Sequence, residues 1–280
     1  MKKLIALGCS ILILTACGNE IEKKANEKLI TARNAYEHGN YEEAKKQIDS
    51  IKILYPKALK TRKAGQELIL DVELKRQQQK LDSLSEMLQT CEEAFNIVKD
   101  KYILEKDTAY QEIGNYLWPT QTIEKNLHRS YLRFQVSEQG VLSMTSIYCG
   151  SNNIHHISVK ATAADGTYME TPASRDSYET TDMGEKIEKA DYKQEEIKNF
   201  VEFIALHKDQ NIRIEYIGER KYTTTMSPSD RQAAISIYEL AQILSDMAAI
   251  KKAQEAANLK IGFVNEKKQR KALEKQEEEE

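Results

Sequence analysis

This chain of 280 residues has little cysteine, little proline and few aromatics: four cysteines, four prolines, one tryptophan, and phenylalanine, tyrosine and tryptophan together at 7%. The cysteines are Cys9, Cys17, Cys91 and Cys149, and no two of them form a CxxC pair. That spacing excludes a thioredoxin-like redox motif and a cysteine-based zinc site. The short motifs that announce common chemistries are missing too. There is no GxSxG elbow, no HExxH, no P-loop and no GxGxxG. Nor is there an excess of positive charge. Forty-one basic residues face 44 acidic ones, for a formal charge of −3, which argues against a nucleic-acid partner, since such partners require a basic face. Charged residues at 30% with so few aromatics describe a helix-rich, well-solvated protein. The length allows one or two domains.

What is present begins at the N-terminus. Lys2 and Lys3 precede an almost unbroken apolar run over residues 4–14. The run suits the hydrophobic region of an export signal and is too short for a bilayer, which needs ~20 apolar residues. It ends in Leu14-Thr15-Ala16-Cys17. These four residues resemble the lipobox of bacterial lipoproteins. The resemblance implies a diacylglycerol thioether on Cys17, cleavage of residues 1–16 before it, and acylation of the new amine with a palmitate-type chain. Two or more acyl chains hold a protein stably, whereas one does so only marginally. The same resemblance carries a sorting rule in which an Asp beside the cysteine favours the inner membrane. Gly18 and Asn19 stand there instead, so the outer membrane is expected, with the body periplasmic or surface-facing. Residues 17–24 are polar and read as a tether.

Residues 25–118 are expected to be helical. Ala32, Gly39, Tyr41, Ala44, Ile48 and Pro56 resemble one tetratricopeptide repeat, with Ala32 and Ala44 where two helices cross, Gly39-Asn40 as the turn and Pro56 as a stop. No second copy follows, so a repeat-lined peptide groove is not implied. From residue 57 to residue 118 there is no proline. Leu70, Leu74, Gln77, Leu81, Leu84, Leu88, Cys91, Phe95, Val98, Tyr102, Glu105 and Ala109 recur at alternating spacings of four and three. This is a coiled-coil seam, and it demands cover from another chain or another helix of this one. Gln77 in the seam suits a register-fixing role.

Residues 119–260 read as an α+β module. Strands are expected at 129–136, 141–149, 154–163, 168–169, 212–216 and 221–225, with Asp165-Gly166 as a hairpin turn. A helix is expected at 194–208, and residues 172–192 as an irregular polar loop. Ser227-Pro228-Ser229-Asp230 is a helix start. Gly262 interrupts the helix that follows, and residues 261–280 form a charged, solvated tail. The fold class is therefore α+β: a helical hairpin and a long coiled-coil-like helix, then an antiparallel sheet packed with helices.

Candidate chemistry is thin. His155 and His156 would point to opposite faces of a regular strand, so a metal would need one of them with His128 or His207, and no metal or cofactor is expected. Cys91 and Cys149 read as isolated thiols more readily than as a disulfide, although an exported protein meets oxidising conditions. The surface to watch is the sheet face opposite the helices, with loops 150–153 and 171–191 and with Tyr148, Tyr168 and Tyr178 as candidate binding residues. Three readings follow. The first is a non-enzymatic, membrane-anchored interaction or scaffold lipoprotein that binds a protein partner or self-associates through the 70–109 seam. The second is a binder of a small ligand or glycan, which requires a concave pocket. The third is a hydrolase with its site in residues 130–226, which requires a nucleophile–base pair or perturbed carboxylates in one cleft.

Overall fold

The computed structural model describes residues 12–279, with side chains from Glu20 to Glu277. The start of the leader and the lipobox side chains, that of Cys17 included, lie outside the described residues. The chain is α+β, with five α-helices and ten strands in two antiparallel sheets among the described residues. It divides into two compact units. One comprises residues 1–86 and 252–280, the other residues 87–251.

The first unit is helical. α1 (Leu12–Glu37) and α2 (Tyr41–Leu54) form a hairpin. Gly39 makes the turn at φ +75°, a conformation that glycine adopts without Cβ strain. Asn40 caps α2 by accepting the Glu43 amide at 3.3 Å, and Glu42 and Glu43 suit the positive end of the helix dipole. Ala32 and Ala44 are fully buried together with Val72, so small side chains do sit where the helices cross. Residues 17–24, read above as a tether, lie in α1, and Ile21 packs beside buried Ala25.

α3 (Leu59–Val98) follows. Its first turn is capped from α1 by Glu22, which accepts the amides of Lys60 and Thr61 and the Thr61 hydroxyl at 3.0, 3.3 and 2.7 Å. This satisfies donors that a helix start leaves open. The long C-terminal helix α5 (Pro228–Glu279) ends in this unit and runs antiparallel to α3. Gln254 meets Ser85, Lys268 pairs with Asp71 at 2.6 Å, and Lys275 pairs with Glu67 at 2.7 Å. The expected solvated tail is thus helical to Glu279, with Val264 buried. Gly262 lies within this helix without interrupting it.

The second unit holds both sheets. α3 stops at Val98, short of residue 118. Beyond a 3-10 turn, β1 (Ile103–Glu105) and β2 (Asn115–Leu117) form a hairpin. Tyr102 leaves the helical seam to donate its hydroxyl to the Ser236 carbonyl at 2.9 Å and to pack edge-on against Trp118. Gly114 permits the close approach of the two arms, for a Cβ there would lie 2.8–2.9 Å from Lys106, Glu105 and Leu104. β3 (Tyr131–Ser137) and β4 (Leu142–Gly150) continue the sheet. So do β7 (Asp176–Asp182) and β8 (Glu185–Lys193), in the order β1-β2-β3-β4-β8-β7. The span expected to be a loop is this last hairpin. Its turn places Met183 and Gly184 at φ 46° and 88°, which matches the twist of two paired strands.

The second sheet has the order β10-β9-β5-β6, from β5 (Ser158–Thr162), β6 (Tyr168–Glu170), β9 (Arg213–Ile217) and β10 (Lys221–Thr225). Phe134, Met144 and Tyr192 of the first sheet meet Val159, Ile214 and Tyr216 of the second in one core. Phe200 and Ile204 of α4 (Gln194–Leu206), and Ile237 and Leu240 of α5, complete it. Each large apolar side chain buried here contributes ~1.5–3 kcal/mol. Ser227 starts α5 as expected, accepting the Asp230 amide at 3.1 Å while its hydroxyl donates to the Asp230 carboxylate at 2.7 Å.

Candidate functional site

Two arrangements in the second unit carry chemistry, one inside the first sheet and one outside it. Directly paired strand residues share a face. On the inner face, Tyr148, Glu188 and Glu179 align across β4, β8 and β7, with Ser146 and Ala190 one step along. Glu188 is an acid among core residues, and it is fully engaged there. Its Oε1 accepts the amides of Ile154 and His155 at 2.6 and 2.9 Å. Its Oε2 accepts the His156 amide at 2.9 Å and lies 3.0 Å from His156 Nδ1. The other ring nitrogen, Nε2, is 2.8 Å from Ser146 Oγ.

Burial pushes the Glu188 carboxyl up, but the amides of His156, His155 and Ile154 and the imidazole together outweigh it, and the net direction is down. Burial drives the His156 imidazole below its ordinary value and outweighs the upward pull of Glu188. The consistent assignment is an anionic Glu188 and a neutral His156. The imidazole then donates from Nδ1 to the carboxylate and accepts the Ser146 hydroxyl at Nε2. This is the connectivity of a serine–histidine–acid triad. It lacks the access a triad requires. Ser146 is 0%, His156 2% and Glu188 1% exposed, and Tyr148 and Tyr216 stack edge-on around the imidazole.

His155 turns the other way. It precedes β5 instead of lying in a strand, at φ 54°, and so diverges sharply from His156. Gly218 passes against its carbonyl so closely that a Cβ would collide with it. Glu179 lies 2.7 Å from His155 Nδ1 and raises the imidazole above its ordinary value. Among the described residues, His155, Glu179 and Glu188 could converge on a cation. Glu188 already accepts four donors, however, which leaves two free ligands where zinc and calcium sites use four or more.

The outer face of the same sheet is open. Tyr131, Ile147, Lys189 and Tyr178 form one row across β3, β4, β8 and β7. Arg133, Thr145, Asp191 and Asp176 form the row on one side, and Cys149 with Ile187 the row on the other. Residues 123–129 border this face and turn it into a cleft of about 310 Å³, at the low end of the ~300–1,000 Å³ typical of small-molecule sites. Ile123 and Leu127 stand on its rim, 51% and 59% exposed. Arg129 pairs with Asp230 and lies over the Tyr131 ring, 4.8 Å from its centroid. His128 pairs with Glu185, which raises the imidazole above its ordinary value. Cys149 Sγ is 3.4 Å from the same carboxylate, and burial followed by that carboxylate pushes its thiol up to about 11. A thiol so shifted is protonated and a poor nucleophile.

The tyrosines anticipated as a binding surface do not come together. Tyr148 is buried in the core and donates its hydroxyl to the Asn152 carbonyl at 2.9 Å, so it is no surface residue. Tyr168 is exposed on the second sheet, under the Lys160 ammonium at 3.8 Å. Only Tyr178 stands on the outer face of the first sheet, beside Lys189. Cys91 and Cys149 are both free thiols. The border of the cleft, Ile123 to Arg129, was missed in the sequence. The signal there was two apolar residues, Ile123 and Leu127, in a short polar stretch with no periodicity to place them. Elsewhere, a groove of about 460 Å³ between α3 and α5 of the first unit is lined by Arg62, Lys63, Glu67, Lys271, Glu274 and Lys275. Its charges are of both signs, and Leu59 also lines it.

Comparison of the chain with known protein families, with curated proteins and with solved structures finds no match in any of the three.

Proposed function

We propose that this chain is a membrane-anchored envelope lipoprotein, held by an acylated Cys17 in the outer rather than the inner membrane, that works as a non-enzymatic interaction module. The observation that carries the non-enzymatic half is the sealing of Ser146, His156 and Glu188. Hydrolysis needs a reacting carbonyl within ~3 Å of both the nucleophile and oxyanion donors, and no substrate reaches a serine walled in by β4, Tyr148 and Tyr216. In the native chain, a serine-directed fluorophosphonate therefore leaves Ser146 unmodified; a phosphonylated Ser146 peptide in the mass spectrum would overturn this reading.

Binding is assigned to the outer face of the six-stranded sheet. The 70–109 seam is the alternative surface; in the first unit α5 lies along the N-terminal part of α3 through Lys268–Asp71 and Lys275–Glu67. The chain immobilised and exposed to detergent-solubilised membranes should retain a protein partner that Ile187→Asp releases. Recovery of no partner, together with a monodisperse monomer in solution, argues against a protein-interaction role. A small-ligand role is the second reading, favoured by the cleft of about 310 Å³ on that same face.

A further inference from the structure

The cleft on the outer face of the first sheet has a chemical polarity along its length. Toward one end Ile187 is half-buried, as is Ile147 in the middle row, and Ile123 and Leu127 project from the rim. The cations at this end are already neutralised, Arg129 by Asp230 and His128 by Glu185. At the other end stand Arg133, Thr145 and Asp191, while Lys189 lies in the middle row, directly opposite Ile147. Asp191 accepts the Thr145 hydroxyl. Arg133 gives one terminal N–H to Glu105 at 2.8 Å, but its Nε is buried and has no acceptor. Among the described residues, the Lys189 ammonium makes no ion pair. Arg133 and Lys189 flank β4 on β3 and β8, two strand spacings apart and offset by two residues along the strands, ~12 Å at the backbone, a span that two long side chains close.

We propose that this cleft binds a small amphipathic carboxylate, its head on Arg133 Nε and Lys189 and its apolar body over Ile147 and Ile187. The inference rests on the small-ligand reading above. A buried guanidinium N–H without an acceptor is costly, and a carboxylate supplies an acceptor of the right charge and planarity for Arg. Tyr131 and Ile147 offer the adjoining apolar floor. A neutral ligand of the same shape would leave the Arg133 donor and the lysine unanswered, and a dianion would meet Asp191.

The test is calorimetric titration of the full-length chain with decanoate and with decanamide, its neutral isostere. Decanoate is expected to bind at least about tenfold more tightly than decanamide, the difference that one charge-assisted contact makes. Lys189 is half-buried, so Lys189→Met should fold. It is expected to weaken decanoate and leave decanamide unchanged. Arg133→Lys keeps the charge but loses the Nε donor, and should also weaken decanoate. Equal binding of acid and amide, or a decanoate affinity indifferent to both variants, overturns the proposal. Binding of neither probe, while Ile187→Asp still releases a protein partner, overturns the carboxylate site and spares the interaction role. Binding of neither probe and recovery of no partner removes both.

Discussion

At the scale of single residues, Glu188 organises more structure than any other polar group in the second unit. It holds three consecutive amides and one imidazole, and this fixes residues 154–156 on the sheet. Glu188→Ala leaves those donors buried without an acceptor and should cost ~3–5 kcal/mol, as loss of one partner of a buried pair does. The pH dependence has a definite sign. The folded His156 value is depressed, so the unfolded chain binds a proton more readily, and stability falls as pH drops through the unfolded histidine value of ~6.5. Glu188, depressed as well, adds a further loss once pH falls through the carboxylate range. His128 and His155 act in the opposite direction. Glu185 and Glu179 raise them, so their contributions are full below the unfolded value and are lost as pH rises through the folded one. In a chain carrying His128→Gln and His155→Gln, guanidinium unfolding should therefore show stability falling steadily from pH 7.5 to 5.5. A rise over that interval would mean that His156 is charged in the folded state.

At the scale of elements, α5 shows what sequence can and cannot reveal. Its start was legible because Ser227 and Asp230 are local signals that act within one turn. Its end was not. Residues 261–280 are mostly Lys, Glu and Gln, a composition equally suited to a frayed tail. What keeps them helical is a neighbour distant in sequence: Val264 is buried, and Lys268 and Lys275 meet Asp71 and Glu67 of α3. The same limit explains β7 and β8. β7 is exposed on nearly every residue, and β8 carries an inward glutamate where alternation would call for an apolar side chain. The periodicity that misled at residues 102–109 was sound up to Val98, where the core of the second unit claims Tyr102. Deleting residues 261–280 tests the role of α5. Losing the burial of Val264 removes ~1.5–3 kcal/mol, the ion pairs adding little at the surface. Amide exchange over residues 62–77 should then accelerate by at least about tenfold, since 1.4 kcal/mol is a factor of ten. Unchanged exchange there would show that the hairpin alone supports α3.

At the scale of the whole molecule, the question is what would hold it to a membrane. Two segments compete. One is the proposed lipid on Cys17. The other is α5, the one helix among the described residues long and apolar enough to cross a bilayer by length and composition. Its apolar stretch, however, is 44% buried inside the protein, and Ala234, Ile237, Leu240, Ala241 and Leu244 belong to the core of the second unit. To insert α5, the second unit would have to give up those contacts and take Asp246 and Glu239 into hydrocarbon, each acidic group at a cost of ~2.5–3.5 kcal/mol at the bilayer centre. Lipid on Cys17 makes no such demand, because two or three acyl chains at ~0.8 kcal/mol per buried CH₂ hold a folded domain without unpacking it. The two anchors predict opposite fractionation. Cys17→Ser should move the chain from the membrane pellet to the soluble fraction with its fold intact by circular dichroism, and mass spectrometry of the unaltered chain should find the acyl mass on the peptide that begins at Cys17. Retention of Cys17→Ser in the pellet after a carbonate wash would assign the anchor to α5 and would require the second unit to open at the membrane.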